Sequence, residues 1–318
     1  MATKSSFPSS KLVRQIVAPV LTVGSGLLLS VTLFLAPALA KDPFRTSNAR
    51  EIGDRTEAAF RAVFQQGNYV DARKYLAQAE DAEPLAHAMR GAMLYIDYQA
   101  EKDKAKKAQM LEQLGGVSDT VRDRARQLLK KDPLRGNLYM AVSHFFKGGF
   151  IILRDGTVKG TPQGLSELQS AYRYLDEAEK IDAKDAELNL LRGYMDLLLA
   201  ANLPFSSPDK AIERLDRYAG PEYLANRGLA MGYLALNQYD QAISSVEQAL
   251  REVPQNPEVM YLKGQILYKQ NKHQEAIDWF NKALNVQAQK PEGMLPPGMV
   301  RQITRERDRA QRKLAGAK

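Results

Sequence analysis

His87, His144 and His273 are the only histidines of the chain, and cysteine is absent, so imidazole chemistry is the first to test against spacing. None of the three has a second histidine at i+3 or i+4, the separation that places two metal ligands on one helix face. Ser143 and His144 are sequence neighbours, which on a helix do not face each other. His273-Gln274-Glu275 has the H-x-E spacing of zinc deaminases without the cysteines that such a site requires. Carboxylates are numerous, yet no spacing selects a pair for glycosidic acid–base work. Phosphate-cradling glycine loops, a nucleophile elbow and H-E-x-x-H are all missing. The sequence therefore reads as non-enzymatic, with no metal site and no cofactor implied. Without cysteine it also has no disulfide and no route to lipid attachment through an N-terminal cysteine.

The amino terminus is built for another purpose. Lys4, Lys11 and Arg14 precede a nearly uncharged run, 16–36, that closes on Ala38-Leu39-Ala40 before Lys41. That is the layout of a secretory signal with a small-x-small cleavage site, and it predicts a cut after Ala40. The competing reading is a retained membrane anchor, because the run approaches the roughly 20 residues that span a bilayer. Pro19, Gly24 and Gly26 weaken such a helix. No Arg-Arg pair precedes the run, which favours a general secretory route. Removing 1–40 takes three basic residues from 45 and leaves 42 against 37 acidic ones, a net charge of +5. So mild an excess does not call for nucleic acid. The expected location is exported, in a periplasm or a thylakoid lumen.

Beyond residue 40 the chain repeats. QEAIDWFNKAL (274–284) and DQAISSVEQAL (240–250) place Ala276 and Ala242 34 residues apart, and Ala283 opposite Ala249. PDKAIERLDRYA (208–219), SAYRYLDEA (170–178) and YVDARKYLAQA (69–79) carry the same beat. Each closes a pair of helices, with Asn237 and Asn271 at turns that need a left-handed backbone. Pro254 and Pro257 separate successive pairs.

This pattern resembles the tetratricopeptide repeat family, whose 34-residue helix-turn-helix unit has small residues where its helices cross. The unit starting at Pro257 supplies Gly264, Ala276, Phe280 and Ala283; that starting at Tyr223 supplies Ala230, Ala242, Val246 and Ala249. The usual first-helix tryptophan is replaced by Asn226 and Met260. A unit near Ala186 has Gly193 and Ala211 around a turn about six residues too long, and one near Gly53 runs to Pro84. The resemblance implies an all-α, right-handed solenoid of antiparallel helix pairs. The expected organisation is a signal at 1–40, helical pairs over 41–150, repeats over 166–290 and a basic capping helix over 291–318.

Three further segments carry readable patterns. Val121, Ala125, Leu128 and Leu129 predict a helix from near Ser118 to before Pro133. The stretch 151–165, with its Asp155-Gly156 dipeptide, predicts an insertion: a short hairpin, or a frayed helix end followed by a loop. Met299, Ile303, Ala310 and Leu314 form one narrow apolar stripe on the last helix, as expected of a solenoid cap. Its basic side chains Arg301, Arg305, Arg309, Arg312 and Lys313 suggest weak contact with an anionic membrane or cell-wall surface.

The resemblance also implies a concave groove lined by first helices, and thus a protein or peptide partner. Carried onto this chain, the groove positions are Glu57, Arg61 and Phe64; Tyr194; Arg227 and Met231; and Tyr261, Gln265, Tyr268 and Lys269. The family's clamp for a C-terminal carboxylate is not matched, since Met231 and Leu262 stand where asparagines belong. The exported architecture is similar to tetratricopeptide proteins of cyanobacteria, in which members assist assembly of membrane complexes such as photosystems. A cell-wall enzyme and a solute- or metal-delivery protein are the competing classes.

Overall fold

The computed structural model describes residues 42–202 and 208–316, so the signal and the cleavage pair Ala40 and Lys41 lie outside the described residues. From Asp54 onward the chain is a succession of helices, with no strand among the described residues. They are α1 (Asp54–Phe60), continued by a π-helical turn at Arg61–Gln65, α2 (Tyr69–Leu76), α3 (Pro84–Ala100), α4 (Lys104–Leu128) and α5 (Pro133–Ile181). After them come α6 (Ala186–Asn202), α7 (Asp209–Arg217), α8 (Glu222–Ala235), α9 (Tyr239–Glu252), α10 (Pro257–Lys269), α11 (His273–Gln287) and α12 (Pro297–Gly316). Taken two by two, with α5 counted as a pair in itself, they form a solenoid of helix pairs ended by α12.

Local chemistry sets the boundaries. Glu83, Asp132 and Asn256 accept hydrogen bonds from the first free N–H groups of α3, α5 and α10, and a proline follows each of them. A cap plus proline at the first position is the pairing that a helix start favours. Asn237 and Asn271 adopt φ of 60° between the helices of their pairs, as the repeat pattern requires. Where the helices cross, a methyl on Gly264 would lie 2.6 Å from the Phe280 ring and one on Gly193 2.7 Å from Leu215. Ala242, Val246, Ala249, Ala276, Phe280 and Ala283 are buried completely, so the repeating beat is the core.

Two expectations need correction. The helix predicted from Ser118 begins at Lys104, because Asp103 caps it and the polar run behind it has strong helix formers. The stretch 151–165 is neither hairpin nor loop: it belongs to α5, which folds back on itself at Gly156. Gly156 has φ 79° and ψ 167°, a region open essentially to glycine alone, and it turns the arm 133–155 into the arm 157–181. The arms then touch backbone to backbone. A Cβ on Gly160 would lie 2.9 Å from the Ile151 carbonyl oxygen and 3.0 Å from Ile152 Cα. His144 Nδ1 meets Glu167 Oε2 at 2.6 Å further along the same seam. The glycines of this stretch are the contact surface of a tight helical pair.

At the far end, α12 buries Met299, Ile303 and Ala310 on the last repeat and leaves Arg301, Arg305, Arg309, Arg312 and Lys313 exposed. It covers the apolar face that the solenoid would otherwise expose. Trp279, on α11, is half-buried, and the ammonium groups of Lys263 and Lys282 stand 4.5 and 4.1 Å from its ring.

The seam predicts a contrast among glycines. Gly156→Ala should destabilise by about 1–3 kcal/mol, the range for forcing a side chain into such a backbone region. Gly116, inside α4, has open space where a methyl group would stand, with no neighbour within 4 Å, so Gly116→Ala should stabilise by about 0.5–1 kcal/mol. Urea denaturation of the two variants beside the parent measures both signs.

Candidate functional site

The site is assembled around the first residues of the described chain. Asp42 is buried, and its carboxylate accepts from Phe44 N at 2.9 Å, Arg50 N at 2.8 Å and Arg45 Nη1 at 2.8 Å. Arg45 in turn donates to Asp185 at 2.7 and 2.9 Å and to Glu187 at 3.0 Å. Arg135 donates to the same Glu187 at 3.0 Å and to Glu83 at 3.1 and 2.9 Å, and the Tyr139 hydroxyl gives Glu187 a further bond at 2.7 Å. One network thus ties the N-terminal segment to the starts of α3, α5 and α6. Burial alone would push the Glu187 carboxyl up, but Arg135, Arg45 and Tyr139 together hold it below its ordinary value. Burial works against the charge of both arginines as well, and their carboxylate neighbours outweigh it.

Held in this way, Phe44 packs edge-on against Phe60 with ring centroids 4.8 Å apart, and Phe60 meets Phe64 at 4.6 Å. These rings form one wall of a cavity that the first helices enclose. Leu85, Ala88, Met89 and Ala92 come from α3; Tyr139, Val142, Phe145 and Phe146 from the first arm of α5; Leu190, Leu191, Tyr194 and Met195 from α6; Leu224 and Arg227 from α8. The cavity volume is about 140 Å³, and it opens to solvent at its mouth.

Its walls are apolar because their polar atoms are spent elsewhere. The Tyr139 hydroxyl is on Glu187, and the Tyr194 hydroxyl donates to the Leu224 carbonyl at 2.8 Å. Arg227, 3 % exposed, donates through Nη2 to Glu258 Oε2 at 3.0 Å. Its guanidinium also meets the Tyr194 hydroxyl. Burial pushes the Glu258 carboxyl up to about 8, and Arg227 and Tyr69 only partly oppose this.

The two ends of the solenoid are in contact with each other. Tyr69 N donates to the Met294 carbonyl at 3.0 Å, and Asn256 Nδ2 to the Phe64 carbonyl at 3.5 Å. Asp71 pairs with Lys290, and Lys74 with Glu292 at 3.2 Å. The first helix pair therefore sits on the last repeat, and the superhelix returns on itself.

Among the groove candidates, the structure brings Tyr194, Arg227 and Phe64 together in these walls. Arg61 lies on the π-helical turn, partly exposed and paired with Glu57 at 2.7 Å. Met231 is half-buried against the core, outside the cavity walls. Tyr261 and Gln265 face α12 instead of a groove: Gln265 Nε2 donates to the Tyr261 hydroxyl at 2.8 Å and to Glu306 at 3.0 Å. The capping helix takes the place where a next repeat would stand, and it covers them. Tyr268 packs on His273 at 5.2 Å, and Lys269 is exposed at the end of α10. Sequence reasoning missed the walls from α3 and α5, since 85–165 carries no repeat to align. Leu85, Ala88, Met89 and Ala92, at i, i+3, i+4 and i+7, were the available signal.

Two carboxylates give opposite pH signatures. Glu187 is held low, so its contribution is present above its ordinary value of 4.5 and is lost as pH falls through the folded value. Glu258 keeps its proton to about 8 in the folded chain but releases it near 4.5 when unfolded, so stability falls as pH rises through that window. Glu258→Gln removes this slope, and its stability relative to the parent should therefore rise between about pH 5 and pH 8 in urea titrations. Glu187→Ala, which takes from two buried arginines the carboxylate that they share, should cost about 3–5 kcal/mol at neutral pH.

Comparison with known proteins agrees with the repeat geometry. Residues 227–293, from within α8 to just beyond α11, match the tetratricopeptide repeat family. No curated protein matches the sequence. Among solved structures, the yeast Tom70 crystal structure is similar with a TM-score of 0.37 and 18% identity, over 65% of this chain and 45% of that one. The chain thus spans less than half the length of that protein. What it shares with the family is the repeat at 227–293, in the part of the solenoid that carries Arg227 and closes against α1 and α2.

Proposed function

We propose that this protein is a non-catalytic binding scaffold that receives apolar side chains of a protein partner in the cavity enclosed by its first helices. The observation that carries the reading is this cavity, open at one side and walled by four helices and the N-terminal aromatic residues. Tetratricopeptide repeats serve protein interaction, and residues 227–293 carry them. A partner's backbone amides require hydrogen bonds, which these walls do not offer. The partner accordingly keeps its backbone at the mouth and inserts side chains, each Leu or Phe gaining about 1.5–3 kcal/mol on burial. Selectivity then comes from shape and from Arg227, and the process is equilibrium binding rather than turnover.

We further place this activity in an exported compartment, a periplasm or a thylakoid lumen, after removal of residues 1–40. There the scaffold assists assembly of an envelope or photosynthetic membrane complex. The motivating features are the signal-like N-terminus and the absence of any catalytic constellation in the sequence. The exposed basic face of α12 supplies a weak, salt-sensitive contact with an anionic surface. Amino-terminal sequencing of the chain from its native cell checks the processing: a start at Lys41 supports it, and an intact Met1 contradicts it.

Filling the cavity tests the binding reading. Val142→Trp should abolish capture of partners held by the parent chain while leaving the helical circular dichroism unchanged. Partners retained equally by both would move binding to another surface.

A further inference from the structure

Helix α12 covers the last repeat with one face and turns the opposite face outward. At 100° per residue, Met299, Ile303 and Ala310 point to one side, and Arg301, Arg305, Arg309 and Arg312 lie within about 80° of one another on the other. These four form a stripe about 16 Å long, one guanidinium for each turn. All are exposed, and among the described residues none of them pairs with an acid. Elsewhere on its surface the chain does pair its arginines: Arg73 with Asp97, Arg124 with Asp81, Arg217 with Glu213. The acids of α12 itself are taken by other groups. Asp308 accepts from Arg307 at 2.8 Å, and Glu306 from Gln265 at 3.0 Å and Gln302 at 3.2 Å. No apolar side chain stands within the stripe.

We infer that α12 docks on the headgroup layer of an anionic phospholipid bilayer, with Arg301, Arg305, Arg309 and Arg312 on lipid phosphates. The inference rests on the anionic-surface reading given above and names that surface. A guanidinium holds phosphate oxygens through paired N–H bonds, and at a charged bilayer each such residue adds about fivefold to affinity. A row of four without countercharge meets several headgroups at once. A protein interface, in contrast, needs an apolar core, which this face lacks. Ion pairs with an acidic protein segment would all be solvent-exposed, where each contributes little. Met299, Ile303 and Ala310 are buried on the last repeat, so the helix has no apolar face to insert. The contact therefore stays at the level of the headgroups, and salt releases it.

Co-sedimentation of the chain from Lys41 onward, which contains every described helix, with vesicles of two parts phosphatidylcholine to one part phosphatidylglycerol tests the assignment. Binding should exceed that to phosphatidylcholine alone at least tenfold in about 0.1 M salt, and disappear in about 1 M, where the Debye length is about 3 Å. Arg305→Gln with Arg309→Gln should lower it about twentyfold. Lys130→Gln with Lys131→Gln, which removes the same charge from exposed positions after α4, should change it less than about twofold. Equal binding to both kinds of vesicle, or equal binding by the parent and the arginine variant, overturns the inference. Tighter binding of poly-glutamate than of the charged vesicles also overturns it, because the partner is then an acidic protein segment. If isolated cell-wall polymer binds through the same arginines and the vesicles do not, the lipid assignment falls and the anionic-surface reading stands. If neither binds, both fall.

Discussion

Glu187 is the point on which the fold turns. A carboxylate with no exposed side-chain surface takes bonds from Arg45, Arg135 and Tyr139, three groups separated from it by 142, 52 and 48 residues. Burying such a cluster is costly, and its members are tolerable only together. The consequence is geometric. The N-terminal segment cannot leave without taking Arg45 from the buried carboxylates of Asp185 and Glu187, and that segment carries Phe44 into the cavity wall. A superhelix of stacked pairs is normally open at both ends; here its first residues are tied across the starts of three helices.

Contact between the ends of the solenoid is a second constraint. The first helix pair rests on the last repeat through Tyr69, Asn256 and the ion pairs of Asp71 and Lys74. Repeats alone would leave a long concave surface suited to an extended chain. Here the first helices enclose a pocket whose walls have almost no unpaired polar atoms. Arg227, in those walls, belongs to the best-formed repeats.

Much of this was legible in sequence where a residue answers to local geometry. Asn237 and Asn271 took the left-handed turns, Gly264 and Phe280 the helix crossing, and Met299, Ile303 and Ala310 the capping stripe. Failures came where one local pattern serves two structures. Asp155-Gly156 signals a hairpin turn, yet the same dipeptide reverses a helix when glycines 148, 160 and 164 let the two arms meet. Repeat position likewise assigned Tyr261 and Gln265 to a groove that α12 covers, because occupation of the next repeat's place is a property of the chain end. The buried network was beyond reach, since nothing near Arg45 in sequence announces Glu187.

Contact between the two ends gives the solenoid its returning course, and zero-length carbodiimide cross-linking tests it directly, because that reagent joins an amine to a carboxylate already paired with it. Cross-links Lys74 to Glu292 and Lys290 to Asp71 are predicted in the folded chain, alongside the local pair Lys180 to Glu177 as an internal standard. Recovery of the local link with no link between 69–76 and 290–294 would mean an open solenoid, and would contradict the account.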